Sequence, residues 1–197
     1  MELNIALPIV NKIVEQLRPY CDKIDIAGSC RREKPDVGDL EICAIAKMVS
    51  VKSDDLFGDP KLVVSPEFAK IANGLGKIIK GKPDGRYMQI ELPEGINLDL
   101  FMPDAHDYYR QFAIRTGSSA YSFGAIATGW KKLGWVGTDG GLRKMDECEK
   151  KIGDNKWKCV NPNPELPPHW TSEKHFFDWL GVKFIEPKYR NWEMHNK

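Results

Sequence analysis

Apolar residues at Ile9, Val10, Ile13, Val14 and Leu17 recur at helical spacing, which predicts a helix over Leu7–Leu17 with one buried face and Pro8 in its first turn. KIDIAG then alternates briefly and stops at Gly28-Ser29, the pattern of a short strand entering a tight turn. From Leu40, LEICAIA is a nearly continuous, β-branched apolar run, as expected of a strand covered on both faces. Ser50 to Pro60 is polar and turn-rich and reads as a surface loop. Ser65-Pro66 supplies a cap and a proline for a second helix, whose apolar face runs through Phe68, Ile71, Ala72, Leu75, Ile78 and Ile79 until Gly81 stops it. RYMQIEL and INLDLFM follow as two strands joined by a turn at Pro93-Glu94-Gly95.

Beyond Pro103 tryptophan, glycine and lysine become more frequent, so a subdomain boundary is placed in the segment Pro103–Asp107. Ser118–Leu133 reads as a glycine-interrupted helix, and Gly140–Met145 and Lys156–Val160 as short strands. Residues 161–168 form a proline-rich loop, after which Thr171 or Ser172 caps a last helix, KHFFDWL, ended by Gly181. The expected fold class is α+β. Residues 1–105 carry a mixed sheet with flanking helices, and residues 106–197 a smaller α+β subdomain; no repeat or low-complexity tract is visible.

Length and composition add a few limits. A chain of 197 residues with 42% hydrophobic content can bury a proper core. No apolar run is long enough to cross a bilayer, and MELNIALPIVNKIVEQL lacks the basic start and cleavage site of a signal peptide, so a soluble, intracellular, cytoplasmic chain is expected. The five cysteines are odd in number and scattered, which argues for reduced thiols over a disulfide framework. A net charge of +1 neither favours nor excludes a polyanionic partner.

Candidate chemistry concentrates in GSCRREKPDVGDLEI, residues 28–42. Asp39 and Glu41 open the LEICAIA strand, and a side-chain period of two points both carboxylates the same way. Asp99 stands alone among the apolar residues of INLDLFM, where an unpartnered carboxylate is costly. If the two strands are neighbours, the three acids make a hard oxygen cluster of the kind Mg²⁺ prefers. A pair of such ions, roughly 3.5–4 Å apart, activates an attacking hydroxyl and stabilises a leaving pyrophosphate. The Gly28-Ser29 turn offers backbone N–H groups and a hydroxyl to an anion, and Arg31 or Arg32 can add bidentate charge. Singly these features are commonplace on protein surfaces; their order along the chain is demanding.

That order resembles the palm of the family X DNA polymerases, within the nucleotidyltransferase superfamily of polymerase β. GSCRREKPDVGDLEI is similar to the family's Gly-Ser, arginine-pair and Gly-Asp-x-Asp signature, and INLDLFM to its third-carboxylate strand. YYRQFAIRTGS resembles the segment that ends in Thr-Gly-Ser, and EKHFFDWLGVKFIEPKYRN the closing helix and proline tail, so four ordered matches run from about Ile9 to Asn191. The resemblance implies a nucleotidyltransferase palm, two Mg²⁺ ions for which Mn²⁺ can substitute, a dNTP, and a DNA primer/template that is gapped in some members. It implies that Asp39, Glu41 and Asp99 are the catalytic metal ligands. Gly28, Ser29, Arg32 and Gly38 would meet the phosphates, and Thr116, Gly117, Ser118 and Ser122 the sugar and base.

Three departures stand out. Glu41 replaces an aspartate, and Ile114 and Arg115 replace the two aromatics that usually precede Thr-Gly-Ser, one of which excludes a ribose hydroxyl. Nothing before Ile9 could hold a helix-hairpin-helix or lyase module, so the arrangement looks like the minimal viral type, expected as a monomer. Nucleic-acid contacts then fall to the C-terminal half, where Arg115, Lys131, Lys132, Arg143 and Lys144 lead a set of cations (Lys150, Lys151, Lys156 and Lys158 among them) interleaved with Trp130, Trp135 and Trp157. A nucleotidyltransferase acting on RNA, protein or a small acceptor, and a non-catalytic nucleic-acid-binding module, are the alternatives. Cys148, Cys159, His169 and His175 are too loosely spaced for a familiar zinc pattern, and no nucleophile elbow supports a hydrolase.

Overall fold

The computed structural model describes residues 1–52, 59–150, 153 and 156–192. The first helix, α1 (Leu3–Leu17), buries Ala6, Val10, Ile13, Val14 and Leu17 on one side. It begins a turn earlier than its apolar pattern predicts, leaving Pro8 inside the helix. The reason is tertiary: the Leu3 N–H donates to Pro35 O and the Met1 amino group to Val37 O, so the loop before the carboxylate strand anchors the helix start.

Strand β1 (Cys21–Ile26) runs into the one-turn helix α2 (Gly28–Arg31), and the chain returns as β2 (Asp39–Ala46). A hairpin of β3 (Met48–Val51) and β4 (Lys61–Val64) follows. Ser50 and Val51, expected in a loop, therefore belong to a strand, and residues 53–58 of that predicted loop lie outside the described residues. Helix α3 (Pro66–Gly74) starts as expected, with Ser65 Oγ accepting from the Phe68 N–H. It stops well short of Gly81. Lys77–Gly81 is instead strand β5, because β6 (Tyr87–Glu91) offers an open edge whose hydrogen bonds must be met, and Gly76 lies too close to Glu91 O for any side chain. Ile78 and Ile79, read as core positions of a helix, are consequently exposed on an edge strand.

Strand β7 (Asn97–Phe101) completes a five-stranded sheet in the order β1-β2-β7-β6-β5, parallel between β2 and β7 and antiparallel elsewhere. Alternation decides what each face does. Leu40, Ile42, Ala44, Met88, Ile90, Leu98 and Leu100 point into a core shared with α1 and α3. The intervening residues face the other way, where Cys43 and Phe101 meet Tyr108 and Phe112 of α4 (Tyr108–Thr116). The carboxylates belong to that second face.

After α4 the chain forms α5 (Ser119–Tyr121), a π-helical turn at Ser122–Ala127 and α6 (Thr128–Lys132), so the glycine-interrupted helix is present in three pieces. A second sheet takes the order β10-β11-β8-β9, from β8 (Trp135–Thr138), β9 (Gly141–Lys144), β10 (Cys148–Lys150) and β11 (Trp157–Cys159). Helix α7 (Glu173–Leu180) is capped by Ser172, whose Oγ accepts from the His175 N–H, and ends at Gly181 with φ of 65°. The architecture is thus α+β with mixed sheets. Among the described residues no helix is long and apolar enough to cross a membrane.

Candidate functional site

The register of β2 against β7 pairs Glu41 with Asp99 and Asp39 with Asn97. Glu41 and Asp99 are therefore lateral neighbours on one face, with Asp39 two residues along β2 on the same side. All three are half-buried, and among the described residues none of them makes an ion pair. Burial, then the neighbouring Asp99, raises the Asp39 carboxyl above its ordinary value. Glu41 is pushed up to about 7 by burial and by Asp39, against the pull of Arg115 and Arg32.

Asp99 escapes the cost that its apolar strand implied. Tyr87 Oη donates to Asp99 Oδ1 at 2.8 Å and Gln89 Nε2 to the same oxygen at 3.0 Å, leaving Oδ2 its full acceptor capacity. Sequence reasoning missed both donors, although hairpin register would have found them: counting back through the turn at Gly95 sets Gln89 opposite Asp99. Burial and the bond to Asp99 raise the Tyr87 phenol to about 12, so it remains a donor at any physiological pH.

The Gly28 turn packs directly against the carboxylates. Gly28 has φ of 63°, and a Cβ there would lie 1.9 Å from Glu41 Oε2, so two separate constraints demand glycine. Next to it the buried Ser29 hydroxyl has no hydrogen-bond partner among the described residues. Gly38 is exposed, and a side chain there would meet nothing within 4 Å, so its backbone is open to approach.

The two arginines divide their work. Arg32 stands near the carboxylates and lines their cleft, while its Nε donates to Asn191 Oδ1 at 2.8 Å and its Nη1 to Thr116 O at 2.7 Å. Arg31 instead grips Glu173 of α7 with two bonds of 2.8 and 2.9 Å and donates to Thr116 Oγ1 at 2.7 Å. Arg190, wholly buried, holds the same Glu173 from the other side at 2.7 and 3.2 Å. This Arg31–Glu173–Arg190 bridge ties α2 to the end of the chain and has no local signature.

A cleft of about 540 Å³ is lined by Arg32, Asp39, Glu41, Arg115, Gly117, Ser118, Ser119 and Ser122, with Phe123 and Trp130 as apolar walls. Gly117 is confined by Ser122 Oγ and the Tyr121 ring, each 2.7 Å from where a Cβ would be. Ser118 Oγ donates to Trp192 O, and Ser122 Oγ to Ile114 O at 2.8 Å. Thr116, expected beside the sugar, is instead fully buried and spent on Arg31 and Arg32.

A second cleft, of about 630 Å³, contains Asp99 together with Lys80, Arg86, Tyr87 and Arg110. Ile114 and Arg115 line both clefts. The Arg115 guanidinium lies 4.1 Å over the Phe101 ring, and its buried Nε has no hydrogen-bond partner among the described residues. The other predicted nucleic-acid contacts are not gathered here. Lys131 and Lys132 are exposed on α6, Lys144 stacks on Trp135, and Arg143 lines a third cleft, while Lys151 lies outside the described residues.

By chemistry the three carboxylates fit a hard divalent cation: the donor set is all oxygen, and among the described residues none of the three is taken up by an ion pair. The fit is one of type and face. Among the described residues no three His, Cys, Asp or Glu side chains converge enough to hold an ion as they stand, and this applies equally to the loose Cys148, Cys159, His169 and His175 set. No protein-family model and no curated protein matches the chain.

Proposed function

We propose that the chain is a nucleotidyltransferase palm that transfers a nucleotide from a dNTP to the 3′ hydroxyl of a DNA primer, with pyrophosphate leaving. The observation that supports this reading is the side-by-side placement of Asp39, Glu41 and Asp99 on adjacent parallel strands, with Asp39 and Glu41 lining a cleft edged by Arg32 and Ser118 and Asp99 lining the second cleft. Divalent ions such as Mg²⁺ or Mn²⁺, held by the three carboxylates, would supply Lewis acidity and a lowered hydroxyl pKa.

The chain's own groups do the positioning. Arg32 brings a fixed cation to the triphosphate, the open Gly38 backbone offers a neutral donor, and the buried Ser29 hydroxyl, without a hydrogen-bond partner among the described residues, offers another. Phe123 and Trp130 give the base an apolar wall. Tyr87 and Gln89 hold Asp99 in one rotamer, so that its remaining oxygen faces a fixed task. The acceptor strand falls to the second cleft, which Lys80, Arg86 and Arg110 line together with Asp99.

Primer extension on gapped, recessed and single-stranded DNA, with dNTPs and rNTPs, tests the reading. Incorporation should require Mg²⁺ or Mn²⁺ and vanish in Asp39→Ala with the circular dichroism spectrum unchanged. A fully active Asp39→Ala protein refutes the assignment. One observation favours a non-catalytic binding module instead: the carboxylates do not converge as they stand. Calorimetry with Mn²⁺ and a non-hydrolysable dNTP separates the two, since such a module shows no metal-dependent nucleotide binding.

A further inference from the structure

Two cysteines play no part in that site. Strands β10 and β11 pair antiparallel with Cys148 opposite Cys159, Glu149 opposite Lys158 and Lys150 opposite Trp157. The Val160 N–H donates to Glu147 O at 3.0 Å, which makes 147 and 160 a hydrogen-bonded pair. Alternation then makes Cys148 and Cys159 a non-hydrogen-bonded pair, the kind whose Cα atoms lie about 4.5 Å apart with side chains closest together. A disulfide accepts Cα separations of about 4.4–6.8 Å, so the backbone needs no rearrangement to admit one. The Cys159 thiol donates to Asn161 O at 3.6 Å.

Accessibility separates this pair from the remaining thiols. Cys21, Cys30 and Cys43 are 7%, 3% and 0% exposed and packed in the core, whereas Cys148 and Cys159 are half-buried at the surface. Metal binding does not compete as an explanation, since no third ligand approaches them among the described residues.

We propose that Cys148 and Cys159 form a reversible cross-strand disulfide by exchange with a low-molecular-weight disulfide such as oxidised glutathione. One cysteine thiolate attacks a glutathione sulfur, and the first glutathione leaves as thiolate. The second cysteine thiolate then attacks the mixed disulfide at the protein sulfur and expels the other glutathione. The two cysteine protons end on the two released glutathiones, so two protein thiols are oxidised as one disulfide is reduced. The bond staples the base of the β10–β11 hairpin. It also fixes Trp157 and Lys158, which line a cleft of about 670 Å³ with Arg143, to the strand carrying Cys148. Nothing in this step depends on nucleotidyl transfer.

Native alkylation with N-ethylmaleimide, read by intact-mass and peptide-mapping mass spectrometry, tests the proposal. The reduced, folded protein should take two adducts, on Cys148 and Cys159. After equilibration with oxidised glutathione it should take none, have lost two hydrogens, and yield a cross-linked 148–159 peptide pair. Cys148→Ser should stop at the mixed disulfide on Cys159, and amide exchange in residues 148–150 and 157–159 should slow at least tenfold on oxidation of the wild type. Two adducts persisting after oxidation, a mapped bond to a core cysteine, or disulfide-linked dimers in place of the internal bond would overturn it.

Discussion

Removing the Glu173 carboxylate should be the most damaging single change in the C-terminal half. The carboxylate takes four N–H···O bonds, at 2.8 and 2.9 Å from Arg31 and at 2.7 and 3.2 Å from Arg190. Arg190 is fully buried and lies within 4.8 Å of the Phe177 ring centre and 5.1 Å of Phe184, so water cannot replace the lost partner. Breaking a buried ion pair from one side costs about 3–5 kcal/mol. At about 2–4 °C per kcal/mol for a chain of this size, Glu173→Gln should lower Tm by roughly 6–20 °C. Arg31→Ala should cost less, about 1–3 kcal/mol, because Arg190 still neutralises the carboxylate and the Arg31 side chain is 20% exposed.

The same bridge sets a pH dependence. Burial alone would raise the Glu173 carboxyl, but hydrogen bonds and charge from Arg31 and Arg190 outweigh it and hold the group below its ordinary value. A depressed folded pKa contributes stability that is present above the unfolded value, near 4.5, and is lost as pH falls through the folded value. Urea unfolding of wild type and Glu173→Gln at pH 7 and at pH 3 should therefore show the gap between them narrowing in acid. A cost under about 1 kcal/mol at pH 7, or a gap that widens in acid, would refute the reasoning.

Three further outcomes follow from the site. Gly28→Ala forces a Cβ onto Glu41 at φ of 63° and should cost about 1–3 kcal/mol by chemical denaturation, with loss of incorporation; a neutral variant would show that the turn can shift. In Asp39→Asn the Glu41 carboxyl, pushed up to about 7 by burial and by Asp39, should titrate lower, as read by ¹³C NMR of the side chain in metal-free protein; an unmoved midpoint would assign the shift to burial alone. Lys131→Gln with Lys132→Gln should flatten the salt dependence of DNA affinity by about two units of log–log slope if both reach phosphates, and an unchanged slope in anisotropy titrations would remove α6 from the interface.

Strand alternation and turn residues are local properties, so the chain by itself determined the two carboxylate strands, the Gly28-Ser29 turn, the Ser65 cap and the co-facing of Asp39 with Glu41, and narrowed the last helix's cap to Thr171 or Ser172, of which Ser172 is the one used. Where local pattern and tertiary demand disagreed, the latter prevailed. Ile78 and Ile79 continue a helical stripe, yet an unpaired edge of β6 drew Lys77–Gly81 into a strand, since edge hydrogen bonds outweigh a few tenths of a kcal/mol of helix propensity. Only the assembled sheet set Asp99 beside Glu41, because strand order is not written into either strand. Thr116 likewise sat in a promising motif but was claimed by Arg31 and Arg32. The Arg31–Glu173–Arg190 bridge joins Arg31 to a carboxylate 142 residues away, and no period or spacing can announce a pairing made by packing alone.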